Sequence, residues 1–65
     1  MIDESTKNEL KNEMQEIYDS RRMYAQRDWE YGKKAMDARL IGLMSALEIL
    51  GLDYGINEEG KAYVK

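Results

Sequence analysis

Cysteine, histidine and proline are all missing from this 65-residue chain, and glycine occurs only five times. Without cysteine no disulfide can form, and without cysteine or histidine the usual zinc sites have no ligands. Nucleophilic catalysis also lacks its parts, since Ser5, Ser20 and Ser45 have no imidazole or thiolate to work with. The sequence therefore reads as non-enzymatic, with no cofactor and no metal. Absence of cysteine fits a reducing compartment, and a cytoplasmic location is expected. No hydrophobic run is long enough for a bilayer. The longest, Leu40 to Leu52, is interrupted by Gly42, Ser45 and Glu48, so no membrane partner is expected. The opening MIDESTKNEL is acidic and polar, unlike a secretory signal or a transit peptide.

Sixty-five residues read as a single small domain whose own core is marginal. Small proteins lean on disulfides, metals or partner subunits, and here only the last remains. The stretch from Lys34 to Gly51 points the same way. Met36, Leu40, Leu43, Leu47 and Leu50 fall at steps of four and three, the period of one helix face. Ile41, Met44 and Ile49 cover the flanks, and Ala35, Ala38, Gly42 and Ser45 form a strip of small residues beside them. A helix apolar over so much of its circumference must be covered on more than one side. The chain is expected to self-associate.

Upstream, Thr6 and Glu9 have the spacing of a capping box, with residues 1–5 frayed ahead of it. From there Leu10, Met14, Ile17, Arg21, Tyr24, Asp28, Tyr31, Ala35 and Ala38 keep an unbroken four-three alternation, as in a coiled coil or bundle. Gly32 is the one helix breaker before Gly42. Two arrangements fit a mainly α chain, helical over 6–50. In one, the chain turns near Tyr31-Gly32-Lys33 into a helical hairpin. In the other, a single long helix, kinked at Gly32 if at all, pairs with a second copy.

Charge separates these two. Residues 1–20 carry Asp3, Glu4, Glu9, Glu13, Glu16 and Asp19, whereas Arg21, Arg22, Arg27, Lys33, Lys34 and Arg39 dominate the next stretch. A turn at Gly32 would lay acid against the acidic Glu48–Glu59 region. An antiparallel dimer centred near Tyr24 would instead set Glu9, Glu13, Glu16 and Asp19 opposite Lys33, Lys34 and Arg39, and Arg21 opposite Asp28. The signs favour the dimer, with Leu10, Met14, Ile17, Tyr24, Met36, Leu40, Leu43, Leu47 and Leu50 as its contact residues.

Gly51 is placed to end the helix in a left-handed conformation, with Leu52 supplying the hydrophobic contact that follows. Beyond it the period changes to two. Leu52, Tyr54 and Ile56 alternate, Asn57-Glu58-Glu59-Gly60 reads as a turn, and Ala62-Tyr63-Val64 resumes, predicting a β-hairpin over 52–65. A lone hairpin is unstable in water, so it must pack on a helix or a partner.

Three motifs invite chemistry, and two of them fail on mechanism. Gly55 to Lys61 has the spacing of a phosphate loop. However, Ala62 stands where a hydroxyl would hold magnesium, Glu58 and Glu59 repel phosphate, and no helix follows. Glu9, Glu13 and Glu16 share a face as in carboxylate-bridged metal bundles, but those sites also require histidine. Between Arg21 and Lys34 cations alternate with aromatics. Arg22, Arg27, Trp29, Tyr31 and Lys33 are the candidate partner-binding residues, because tryptophan and arginine are enriched at interface hot spots. The same stretch could hold single-stranded nucleic acid, but Asp28, Glu30 and a net charge of −3 dilute its field.

The layout of a short, acidic, cysteine-free chain, a helix ending in ALEILG and a small hairpin after it is similar to small accessory proteins of bacteriophages and other mobile elements. That resemblance implies a binder, adaptor or inhibitor of a host protein. A homodimeric protein-binding module is thus the expected function, with a nucleic-acid-binding regulator as the alternative.

Overall fold

The computed structural model describes residues 2–65 and is mainly helical, with a short antiparallel sheet at its C-terminal end. Helix α1 runs Glu4–Gln26, α2 Glu30–Ile49, β1 Tyr54–Ile56 and β2 Ala62–Val64. The extents of 40 × 22 × 17 Å follow from the longer helix, since 23 residues at about 1.5 Å each already span roughly 34 Å.

α1 starts two residues before the expected cap. Asp3, in extended conformation, accepts the Thr6 amide at 2.8 Å. An aspartate reaching the third helical amide is as good a cap as threonine and gains the helix most of another turn. That bond also holds the Asp3 carboxyl below its usual pKa.

The helical stretch is not continuous, and its break is not at Gly32. It falls at Arg27-Asp28-Trp29, and the cause is a specific hydrogen-bond pattern. The Asp28 amide bonds the Ala25 carbonyl at 3.3 Å and the Trp29 amide bonds the Tyr24 carbonyl at 3.0 Å. Asp28 takes φ 55°, the left-handed conformation usually given to glycine. This is a Schellman stop, and its hydrophobic contact is aromatic: Trp29 meets Tyr24 edge to face, ring centroids 4.8 Å apart. Gly32 has a different role. It lies inside α2, buried under the indole, where an added Cβ would come within 2.4 Å of Trp29 Cε3.

After the break α2 lies against α1. Two ion pairs cross between them, Arg21 with Asp37 and Arg39 with Glu13, the second at 2.6 Å. The match between acidic and basic halves is thus made, in part, inside one chain. Asp37 takes the role expected of Asp28 towards Arg21. With the turn at 27–29 instead of 31–33, the opposed residues shift, and the acid-on-acid conflict of a Gly32 turn does not arise at Glu13.

α2 ends as the sequence predicts. Gly51 has φ 72°, its amide bonds the Glu48 carbonyl, and the Leu52 amide reaches Leu47. The same Leu47 and Leu52 enter the core. Met14, Leu47 and Ala62 are its buried centre, with Leu10, Leu40, Leu43, Leu52, Tyr54, Ile56 and Val64 packed around them, while Ile17 is buried as well.

The β-hairpin packs on its own chain. Register pairs Tyr54 with Val64, Gly55 with Tyr63 and Ile56 with Ala62, so Tyr54, Ile56, Ala62 and Val64 share the core-facing side. On the other side the Tyr63 ring lies over Gly55, filling the space a side chain would need. In the turn, the Asn57 side chain accepts the amides of Glu59 and Lys61. One α1 side chain closes the edge of β2: Gln15 accepts the Ala62 amide at 2.6 Å and donates to the Gly60 carbonyl at 3.0 Å.

Candidate functional site

The expected contact residues divide sharply once the helices are in place. Leu10, Met14, Ile17, Leu40, Leu43 and Leu47 are buried or half-buried in the internal core or beside it. Tyr24 carries the Trp29 ring, and Met36 is half-buried. Leu50, at the end of α2, is 49% exposed. Leu50 apart, the residues expected to join two copies pack inside one subunit instead, because α2 folds back on α1. Of the other methionines, Met44 is half-buried and Met23 exposed.

What the subunit leaves uncovered is the other side of α2. Met36, Leu40, Leu43 and Leu47 make the inner row, at steps of four, three and four. A second row, Tyr31, Ala35, Ala38, Gly42, Ser45 and Ile49, keeps the same alternation roughly 150° further round at 100° per residue. Every member is exposed. Tyr31 is 77% exposed, Ile49 86%, and the adjoining Ile41 65%. A Cβ built on Gly42 meets nothing within 4 Å.

The partner-binding candidates gather at the turn end of the molecule. Arg22 and Arg27 are exposed, Trp29 is half-exposed, and its ring lies 6.3 Å from the more exposed Tyr31. Lys33 is half-buried and 4.0 Å from Glu30. Half of the tryptophan surface therefore serves the turn, against Tyr24 and Gly32, and the rest is open. Of the cations between residues 21 and 34, Arg21 and Lys33 have carboxylate partners, while Arg22, Arg27 and Lys34 form no ion pair among the described residues.

Sequence reasoning missed two residues. Gln15 was not singled out, although a glutamine directly after the buried Met14 and two residues before the buried Ile17 sits at the edge of the buried face, in reach of the sheet. Glu48 accepts the Tyr54 hydroxyl at 2.7 Å, a bond that raises the pKa of that phenol. The Gly55–Lys61 segment is the hairpin turn with its flanking residues, as β1 and β2 on either side make plain. Among the described residues no three carboxylates come together closely enough to hold a metal ion, and no helix is long and apolar enough to cross a membrane. Comparison of the chain with family models, with curated proteins and with solved structures gives no match.

Proposed function

We propose that this chain is a non-enzymatic, homodimeric module that binds another protein, acting in the cytoplasm as an adaptor or inhibitor of a host protein for a phage or similar element. The observation that carries the reading is the second, open apolar row on α2. The helix is apolar on two sides, and the subunit covers one. The total accessible surface, 4806 Å², also exceeds the roughly 4,300 Å² typical of a compact monomer of this mass. The half-open Trp29, with Arg22 and Arg27 exposed at the same end of the molecule, supplies a separate aromatic and cationic end for the partner.

This reading is preferred over nucleic-acid binding because Arg21 and Lys33, two cations of the basic stretch, are already matched by Asp37 and Glu30. Light scattering on the purified chain tests the first half: a mass of twice 7.6 kDa at micromolar concentration is expected. A monomer with a cooperative melt overturns self-association. Titration with single- and double-stranded probes at low salt tests the preference, and a flat response is expected. Strong, salt-dependent binding lost in Arg22→Ala and Arg27→Ala would replace the protein reading with the nucleic-acid one.

A further inference from the structure

We infer that a second copy of this chain docks antiparallel on the outer row of α2, with Ala38 opposite Gly42 of its partner; the inference rests on the self-association proposed above. The row has the composition for close helix contact. Ala35, Ala38, Gly42 and Ser45 are consecutive members, and small residues let two backbones approach. Gly42 adds a pointed observation. Glycine costs a helix about 1 kcal/mol relative to alanine, yet nothing inside the subunit needs the space above Gly42. A close approach from outside gives that glycine a purpose.

Charge chooses the occupant and its direction. Beside the outer row runs a flank at seven-residue spacing, Lys34, Ile41 and Glu48, all exposed. In an antiparallel pair related by a twofold axis, this flank meets its own copy in reverse order. Lys34 then faces the partner's Glu48, Ile41 faces Ile41, and Glu48 faces Lys34. Each Glu48 accepts the Tyr54 hydroxyl of its own chain on one carboxylate oxygen and has the other for the lysine. A parallel pair would set like charge beside like. On the opposite flank Arg39 meets its own copy, but Glu13 of the same subunit already holds that guanidinium at 2.6 Å. The same register sets Ala35 against Ser45 and lays Tyr31 over Ile49, so the most exposed apolar residues cover one another at both ends.

Three variants test this. Gly42→Arg has room inside the subunit and should keep the helical circular dichroism while abolishing the dimer. Lys34→Glu should weaken the dimer on the order of tenfold, since two pairs become repulsive, and adding Glu48→Lys in the same chain should restore it. Because the natural chain has no cysteine, Ala38→Cys and Gly42→Cys chains can be mixed and oxidised; cross-links between unlike variants should exceed those between like ones. A dimer that tolerates Gly42→Arg with unchanged mass overturns this face but leaves self-association standing. Preferential like-with-like cross-links overturn the antiparallel register. A natural chain that is monomeric overturns both this inference and the reading beneath it.

Discussion

The two places where a helix stops, Tyr24–Trp29 and Leu47–Leu52, use one hydrogen-bond pattern with different residues. In each, an amide reaches back five residues to a carbonyl and the residue before it takes a positive φ. At the second stop glycine adopts that conformation freely, and the flanking leucines sit in the core. At the first an aspartate adopts it against a steric cost, and an aromatic pair in partial contact with water supplies the packing. Burial explains why both work. The second stop is held by the core around it, whereas the first must carry its own hydrophobic contact because the core lies at the other end of the molecule.

Truncating the packing at each stop should expose that difference. Leu47→Ala removes a fully buried side chain and is expected to cost about 2–5 kcal/mol. That is comparable with the ~3–5 kcal/mol a core of this size supplies, so urea titration should find the cooperative transition lost. Trp29→Ala, at the first stop, removes a half-exposed ring and should cost about 2 kcal/mol, with the transition kept. If Trp29→Ala proved the more damaging, the distinction between a core-held stop and a self-packed one would be wrong.

Exchanging the conformational residues gives smaller effects of opposite sign. Gly51→Ala forces a side chain to φ 72° and should cost about 1–2 kcal/mol. Asp28→Gly relieves the same strain at φ 55° and should stabilise by up to about 1 kcal/mol. Thermal melts of the pair should therefore move in opposite directions. A shared direction would mean that the aspartate makes a contact worth more than its strain.

The smallest effect is with pH. Tyr54 donates to Glu48, in the last turn before Gly51, and its pKa is raised by that bond. Its contribution is therefore complete below the ordinary value of 10.0 and disappears as pH rises through the higher folded value. Asp3 behaves in the opposite sense: its contribution is complete above 3.8 and is lost as pH falls through the lower folded value. Alkali should loosen the sheet end first, and Tyr54→Phe should flatten the alkaline limb of the stability profile. An unchanged limb in that variant would place the sensitivity elsewhere.

The contrast also explains what could be read from the residues beforehand. The second stop was legible because Gly51 and Leu52 have the residue types that stop demands, and the change of period after them marks the hairpin. The first was hidden. Asp28 is not a residue one assigns to positive φ without cause, and the four-three spacing from Leu10 to Ala38 passes through it undisturbed. Side-chain spacing constrains which residues share a face and carries little information about one backbone angle. Gly32 drew attention as a breaker because its reason for being small, the indole above it, lies in the tertiary structure. On α2 the strip from Ala35 to Ser45 was visible as a neighbour of the leucine row. That it forms a separate face needed knowledge of which side α1 occupies.

Gln15 has a wider consequence. Its amide offers the sheet one acceptor and one donor, the same two groups a peptide unit on a neighbouring strand would offer. The helix thus serves as a one-residue third strand, joining positions 45 and 47 apart in the chain. Those two bonds, with Met14 and Ala62 in one core, tie the first helix to the terminal ribbon, and the two are expected to be lost in one event.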